Sequence, residues 1–212
     1  MAWCMRLLED TLRNGGKLSV PADRVYRVLH VVHGSVGVAG QEYRDGTAWH
    51  GRGPQTIEAG RHGAAIWRFE IAPMGDPIIP AEGGRTLEKL ATPIDLPEGD
   101  LLLRHDSVAF PPGGCAFLHR HPGPGIRCLL EGGIRIDTAG HSVSYAPGGA
   151  WFEPGPEPVF AQAADRPTRF VRVMVLPRRL LGTSSIQYLR EEDRSKPKSQ
   201  IYQGFIDVPL TL

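Results

Sequence analysis

The sequence predicts an all-β protein made of two copies of one small β-domain. Three observations carry that prediction. Glycine (26) and proline (19) are abundant and dispersed as GG, PGG, PGP and PPGG between short apolar runs, the habit of chains with many tight turns. Helical periodicity is nearly absent, and only residues 86–91 (TLEKLA) read as a short helix or turn. The chain also repeats itself.

The repeat is seen by laying Gly15-Gly16 on Gly113-Gly114, a shift of 98 that also brings Gly34 onto Gly132. After a four-residue insertion the shift becomes 102, and GTAWHGRGPQTIEA (from Gly46) falls on GGAWFEPGPEPVFA (from Gly148). Six positions are then identical, among them Trp49 with Trp151 and Pro54 with Pro156. The last strands correspond too, AIWRFEIAP ending at Pro73 and RFVRVMVLP at Pro177. Each copy has about 75 to 80 residues, near the lower edge for an independent core.

The expected organisation follows the chain. Residues 1–74 form the first copy, and the Pro-, Gly- and charge-rich stretch 75–100 reads as a linker. Residues 101–178 form the second copy, and 179–212 a tail with a charge run (REEDRSKPKS) and a closing strand-like segment that docks on its own domain or on another subunit.

Composition excludes several classes. The 24 basic residues against 23 acidic ones give a net charge of +1, so there is no electrostatic footprint for nucleic acid or a membrane surface. No apolar run approaches the ~18 residues of a membrane span, and the N-terminus lacks the apolar centre of a signal peptide. Cys4, Cys115 and Cys128 are odd in number and lie in apolar runs, so reduced thiols are expected. The expected compartment is the cytoplasm.

The chemistry concentrates in GGCAFLHRHPGPGIRCLLEG, which starts at Gly113. His119 and His121 are two residues apart, so on a strand both point to one face. Two imidazoles side by side suit a metal or a proton-transfer site. The run from Pro122 to Gly125 forces a turn, and a second strand follows. Counting by twos from Gly125 sends Arg127 and Leu129 inward. A guanidinium inside an apolar barrel needs an anion, either an internal acid such as Glu153 or the carboxylate of a ligand. Trp49 and Trp151 read as core. The remaining histidines read as surface or packing residues.

These residues carry a resemblance. Gly113, His119-x-His121, Gly125 and Gly132 resemble the first motif of the cupin superfamily, and Gly148, Pro154, Pro156, Val159 and Ala163 resemble the second. With the duplication, the chain looks like a bicupin. The resemblance implies two cupin-like (double-stranded β-helix, jelly-roll) barrels. In metal-dependent cupins the ligands are two His and a Glu from the first motif and a His from the second. Here the Glu position is Gly125 and the second His is Val159, leaving His119 and His121. The corresponding first-copy residues, Pro21, Asp23, Arg27 and Ile57, hold no metal, so that copy reads as structural.

Two outcomes stay open for the second copy. In one, His119, His121 and Glu153 hold a divalent metal (Fe, Mn, Zn or Ni), as a 2-His-1-carboxylate set would. The protein is then a metal-dependent oxygenase or related enzyme acting on a small carboxylated molecule. In the other, the metal is lost and a non-catalytic binding or sensing module remains. In both, Arg127, Phe117, Leu129, Val159 and Ala163 are expected to line the ligand pocket, and Val159 and Ala163 should make it wide and apolar. The expected ligand is small and anionic, and the resemblance implies a homodimer.

Overall fold

The computed structural model describes all 212 residues. The chain is all-β, with one five-residue helix, Glu191–Ser195, and it divides into two compact units, Met1–Ile94 and Asp95–Thr211.

The first unit contains β1 (Trp3–Val20), β2 (Tyr26–Val38), β3 (Gln41–Arg44), β4 (Ala48–Gly51), β5 (Gln55–Pro73) and β6 (Glu82–Ile94). They form one antiparallel sheet in the order β3-β2-β5-β1-β6, with β4 paired to β2. The long strands slip register between Leu12 and Lys17 and between Val31 and Val36. Extra residues at such points bend a strand and increase its twist. Leu12 and Leu18, Val31 and Val36, and Ile57 and Ile66 flank these bends yet share one buried cluster. The sheet is therefore curled over a single core.

The second unit contains β7 (Leu101–Phe110), β8 (Cys115–Arg120), β9 (Gly125–Glu131), β10 (Ile134–Thr138), β11 (His141–Tyr145), β12 (Ala150–Glu153), β13 (Val159–Ala163), β14 (Thr168–Pro177), β15 (Gln187–Tyr188) and β16 (Ile201–Leu210). Two five-stranded sheets result, β12-β9-β14-β7-β16 and β11-β10-β13-β8-β15. Their shared core takes Val108, Leu129, Trp151 and Phe170 from one sheet and Ala116, Ile136, Val159, Ala161 and Ala163 from the other.

The connectivity of the first unit recurs in the second with its strands broken in two. In the first, β1 pairs β5 and β5 pairs β2 along their whole length. In the second, β7-β14-β9 repeats one half of that pattern and β8-β13-β10 the other. The backbone repeats with it. Gly15 and Gly113 both have φ +67°, Gly34 and Gly132 both +85°, and Ala39 and Ala139 +50° and +48°.

Two expectations change and one is narrowed. The sheets are open, and neither unit is a closed barrel. Residues 86–91 are strand, because β6 pairs with β1 from Ile94 opposite Trp3 to Gly84 opposite Leu12, with one register shift at Lys89. A long-range partner outweighs the weak local helix preference, and β6 takes up half of the stretch expected as linker. The tail takes one of the two dockings expected for it, along its own unit, with β16 paired to β7 from Leu101 to Ala109.

All three cysteines are free. No helix is long and apolar enough to cross a membrane.

Candidate functional site

His119 lies near the end of β8, opposite Val159 on one side and Tyr188 on the other. His121 follows just beyond, where Pro122 and Gly123 turn the chain. Both are buried, at 5% and 3% exposure, and their ring centroids are 5.0 Å apart at 81°. The Nδ1 of His119 is 2.7 Å from the Phe117 carbonyl oxygen. The Nδ1 of His121 is 3.3 Å from the Ser185 carbonyl oxygen and 3.2 Å from its hydroxyl. A carbonyl only accepts, so each Nδ1 carries the proton and each Nε2 presents a lone pair.

Two arginines join them. Arg127, 1% exposed, places Nη2 2.7 Å from Glu153 Oε2 and donates from Nη1 to the Gly125 carbonyl at 2.6 Å. Arg172, on β14, donates from Nε and Nη2 to both oxygens of Asp106 on β7, at 2.6 and 3.1 Å. Its Nη1 reaches within 3.4 Å of His121 Nε2. Trp151 Nε1 donates to the other Glu153 oxygen at 2.9 Å.

Electrostatics follow from the burial. Exclusion of water lowers the pKa of His119, and pushes that of His121 well below its usual value with help from Arg172 and Arg127. Burial also lowers Arg127 to about 10, partly offset by Glu153, so it stays charged at neutral pH. Burial works against the charge of Arg172 as well, but Asp106 outweighs it and the pKa is raised. Arg127 and Arg172 balance Glu153 and Asp106, and the imidazoles are neutral.

These groups surround a cavity of about 20 Å³, lined also by Trp151, Phe170, Gln200 and Tyr202. That is room for about one water. A larger hollow of about 330 Å³, bounded by Arg104, Asp106, Gly182, Ser184 and Asp207, shares Arg172 and Tyr202 with it.

The structure thus gathers His119, His121, Arg127 and Glu153 at one cavity. Phe117, Leu129, Val159 and Ala163 do not line it. Leu129, Val159 and Ala163 pack in the apolar core, and Phe117 lies under the Lys196 and Lys198 ammonium groups. The wide apolar pocket is also corrected. Two guanidinium groups, the Trp151 indole and the Phe170 ring line the cavity and leave room for about one water.

As the side chains stand, they form no ready site for a divalent metal. Glu153 already accepts from Arg127 and Trp151, and no group of three His, Cys, Asp or Glu side chains is arranged to hold an ion. The lone pair of His121 Nε2 faces a guanidinium. A Cβ on Gly125 would come within 2.6 Å of Met174 Cγ and 2.8 Å of Arg127 Nη1 and the Val173 carbonyl oxygen, so a larger side chain has no room there. In the first unit, Asp23 and Arg27, two of the positions aligned with ligands, pair with each other at 2.6 Å, and Arg27 also reaches Glu70.

Sequence reasoning missed Arg172, Asp106, Gln200 and Tyr202. The first two had a signal, since RFVRVMV and LLLRHDSVAF each place a charge inside a strand too apolar to be solvated. Gln200 and Tyr202 had none, because their place depends on the tail docking along β7.

No family model matches the chain, and no curated protein sequence does. Solved structures of oxalate decarboxylase do. One, from a study of proton-coupled electron transfer, superposes with a TM-score of 0.58 at 14% identity, over 80% of this chain and 68% of that one. An arginine-to-alanine variant of the Bacillus subtilis enzyme gives a TM-score of 0.61 at 14% identity, over 91% and 74%. A serine-to-alanine variant of that enzyme gives 0.56 at 15%, over 80% and 69%. At this identity the likeness establishes a shared cupin-like fold and nothing about chemistry.

Proposed function

We propose that the second unit is a small-molecule-binding cupin module that takes a small carboxylate without needing a metal. The observation that carries this is that Arg127 and Arg172 bring their guanidinium groups to two neutral imidazoles at one small cavity. Arginine suits a carboxylate because its planar fork matches the two oxygens. Arg172 spends Nε and Nη2 on Asp106, and its guanidinium also borders the hollow of about 330 Å³, which has the room for a carboxylate that the one-water cavity lacks. The His119 Nε2 lone pair can accept from a ligand hydroxyl or water. The first unit, with Arg27 locked between Asp23 and Glu70, is a duplicated copy with a structural role. The matched backbone of Gly34 and Gly132 supports that duplication.

Metal binding is the second reading, and one observation favours it. Both Nδ1–H groups are anchored on backbone carbonyls, the arrangement that orients a ligating histidine. It requires Arg172 to leave His121.

Titration calorimetry on chelator-treated protein tests the first reading, with formate and oxalate as probes. Oxalate is included because the solved enzymes sharing this fold are named for it. Saturable binding is expected, weakened about tenfold in Arg172→Lys, which keeps the charge but loses the fork. No binding without added metal would overturn it.

A further inference from the structure

Gln200 stands out among the groups around the cavity. It is 8% exposed, and both its amide oxygen and its amide nitrogen are buried without a hydrogen-bond partner at good geometry. Burial raises the pKa of the neighbouring Tyr188 phenol, and the Gln200 amide beside it opposes that rise only in part. A buried amide left unpaired is costly, so such groups usually have a partner supplied from elsewhere. Gln200 lines the same cavity as His119, His121, Arg127 and Arg172.

Its position is also fixed. The preceding Ser199 hydroxyl donates to the Cys115 carbonyl at 3.3 Å, which ties this end of the tail to the start of β8. The following Ile201 opens β16 opposite Ala109. The amide is therefore held on both sides by sheet.

We infer that Gln200 is a specificity-determining residue, and that the ligand is a carboxylate with a hydroxyl, acid or amide group on the adjoining carbon. The inference rests on the anionic-ligand reading above and adds the ligand's second group. A carboxylate is drawn to the guanidinium groups, the only fixed positive charges at the cavity wall. Gln200 carries no charge and offers one donor end and one acceptor end. Its complement is a neutral group that both donates and accepts, as an alcohol, a protonated acid or an amide does. A site built to pair such a group discriminates against the analogue lacking it, because its own polar atoms are then left unpaired. The cavity admits only that second group, which takes the place of one water beside Gln200, and the carboxylate stands in the larger hollow against Arg172, which lines both.

The test compares glycolate with acetate, which have the same charge and differ by one hydroxyl. Calorimetry uses the full chain after chelation. Wild type should bind glycolate at least about tenfold more tightly than acetate. In Gln200→Leu the two should bind alike, at about the acetate affinity. That variant removes an unpaired buried amide, so its melting temperature should equal or exceed wild type. Equal binding of the two acids by wild type, as expected if a water serves the amide, overturns this inference and leaves the anion reading standing. A glycolate preference surviving in Gln200→Leu also overturns it. Failure of both acids to bind overturns both.

Discussion

Arg172 Nη1 lies 3.4 Å from His121 Nε2, while the same guanidinium grips Asp106 with its other two nitrogens. Arg172 therefore spans the site from β7 to the histidine pair. A buried pair broken on one side leaves a bare charge, which costs about 3–5 kcal/mol. Arg172→Met should lose about that much in urea denaturation. Adding Asp106→Leu should recover most of it, because the two residues share one interaction. Additive losses would show that the pair is not coupled.

Glu153 divides a metal site from an ion pair. It holds Arg127 at 2.7 Å, so Glu153→Leu strands a guanidinium that is 1% exposed. A loss of about 3–5 kcal/mol is expected, together with unchanged metal content. A stable variant whose only defect is in metal content would place Glu153 among ligands instead.

Acid should weaken the fold in a defined window. Burial lowers the pKa of His119 and His121, and lowers His105 from 6.5 to about 4, with the Arg172 carbonyl and Asp106 opposing. The unfolded chain takes up these protons near pH 6.5 and the folded chain does not. Their stabilising contribution is thus fully present above pH 6.5 and is lost on acidification toward pH 4. Each histidine adds a slope of up to about 1.4 kcal/mol per pH unit. Denaturation midpoints measured from pH 7.5 to 4 should fall steadily. A flat profile between pH 6.5 and 5 would show that the imidazoles are exposed to water.

Equivalent glycines test the duplication. Gly34 and Gly132 both sit at φ +85°. A Cβ would strike the Gly63 carbonyl oxygen in one unit and the Pro167 carbonyl oxygen and Thr168 hydroxyl in the other. Gly40 and Gly140 have φ +79° and +76° but open space around them. Alanine at the second pair should cost only left-handed strain, about 1–2 kcal/mol, and alanine at the first pair distinctly more. Melting curves of the four variants check this. Equal effects in all four would remove the close approach as the reason for Gly34 and Gly132.

Much of this was legible before any coordinates. Glycines and the Trp49–Trp151 repeat announced duplicated turns, because a positive φ and a fixed turn length leave marks on residue type. His119 and His121 were readable through the two-residue period of a strand. The alternation that turned Arg127 inward also turned Leu129 inward, but only Arg127 meets the cavity. Alternation gives the face of a sheet and not the depth along it, and the motif spacing that set Val159 and Ala163 at the pocket wall says as little about depth, since both pack in the apolar core. The strand at Glu82–Ile94 was hidden because its pairing with β1 is long-range. Gln200 was hidden for the same reason, since nothing near it in the chain says where β16 docks.

Elemental analysis of the purified protein, beside His119→Ala and His121→Ala, tests most directly whether the site does without a metal. The account predicts far less than one transition metal per chain, with no difference between wild type and either variant. About one metal per chain in wild type, lost in both variants, would contradict it.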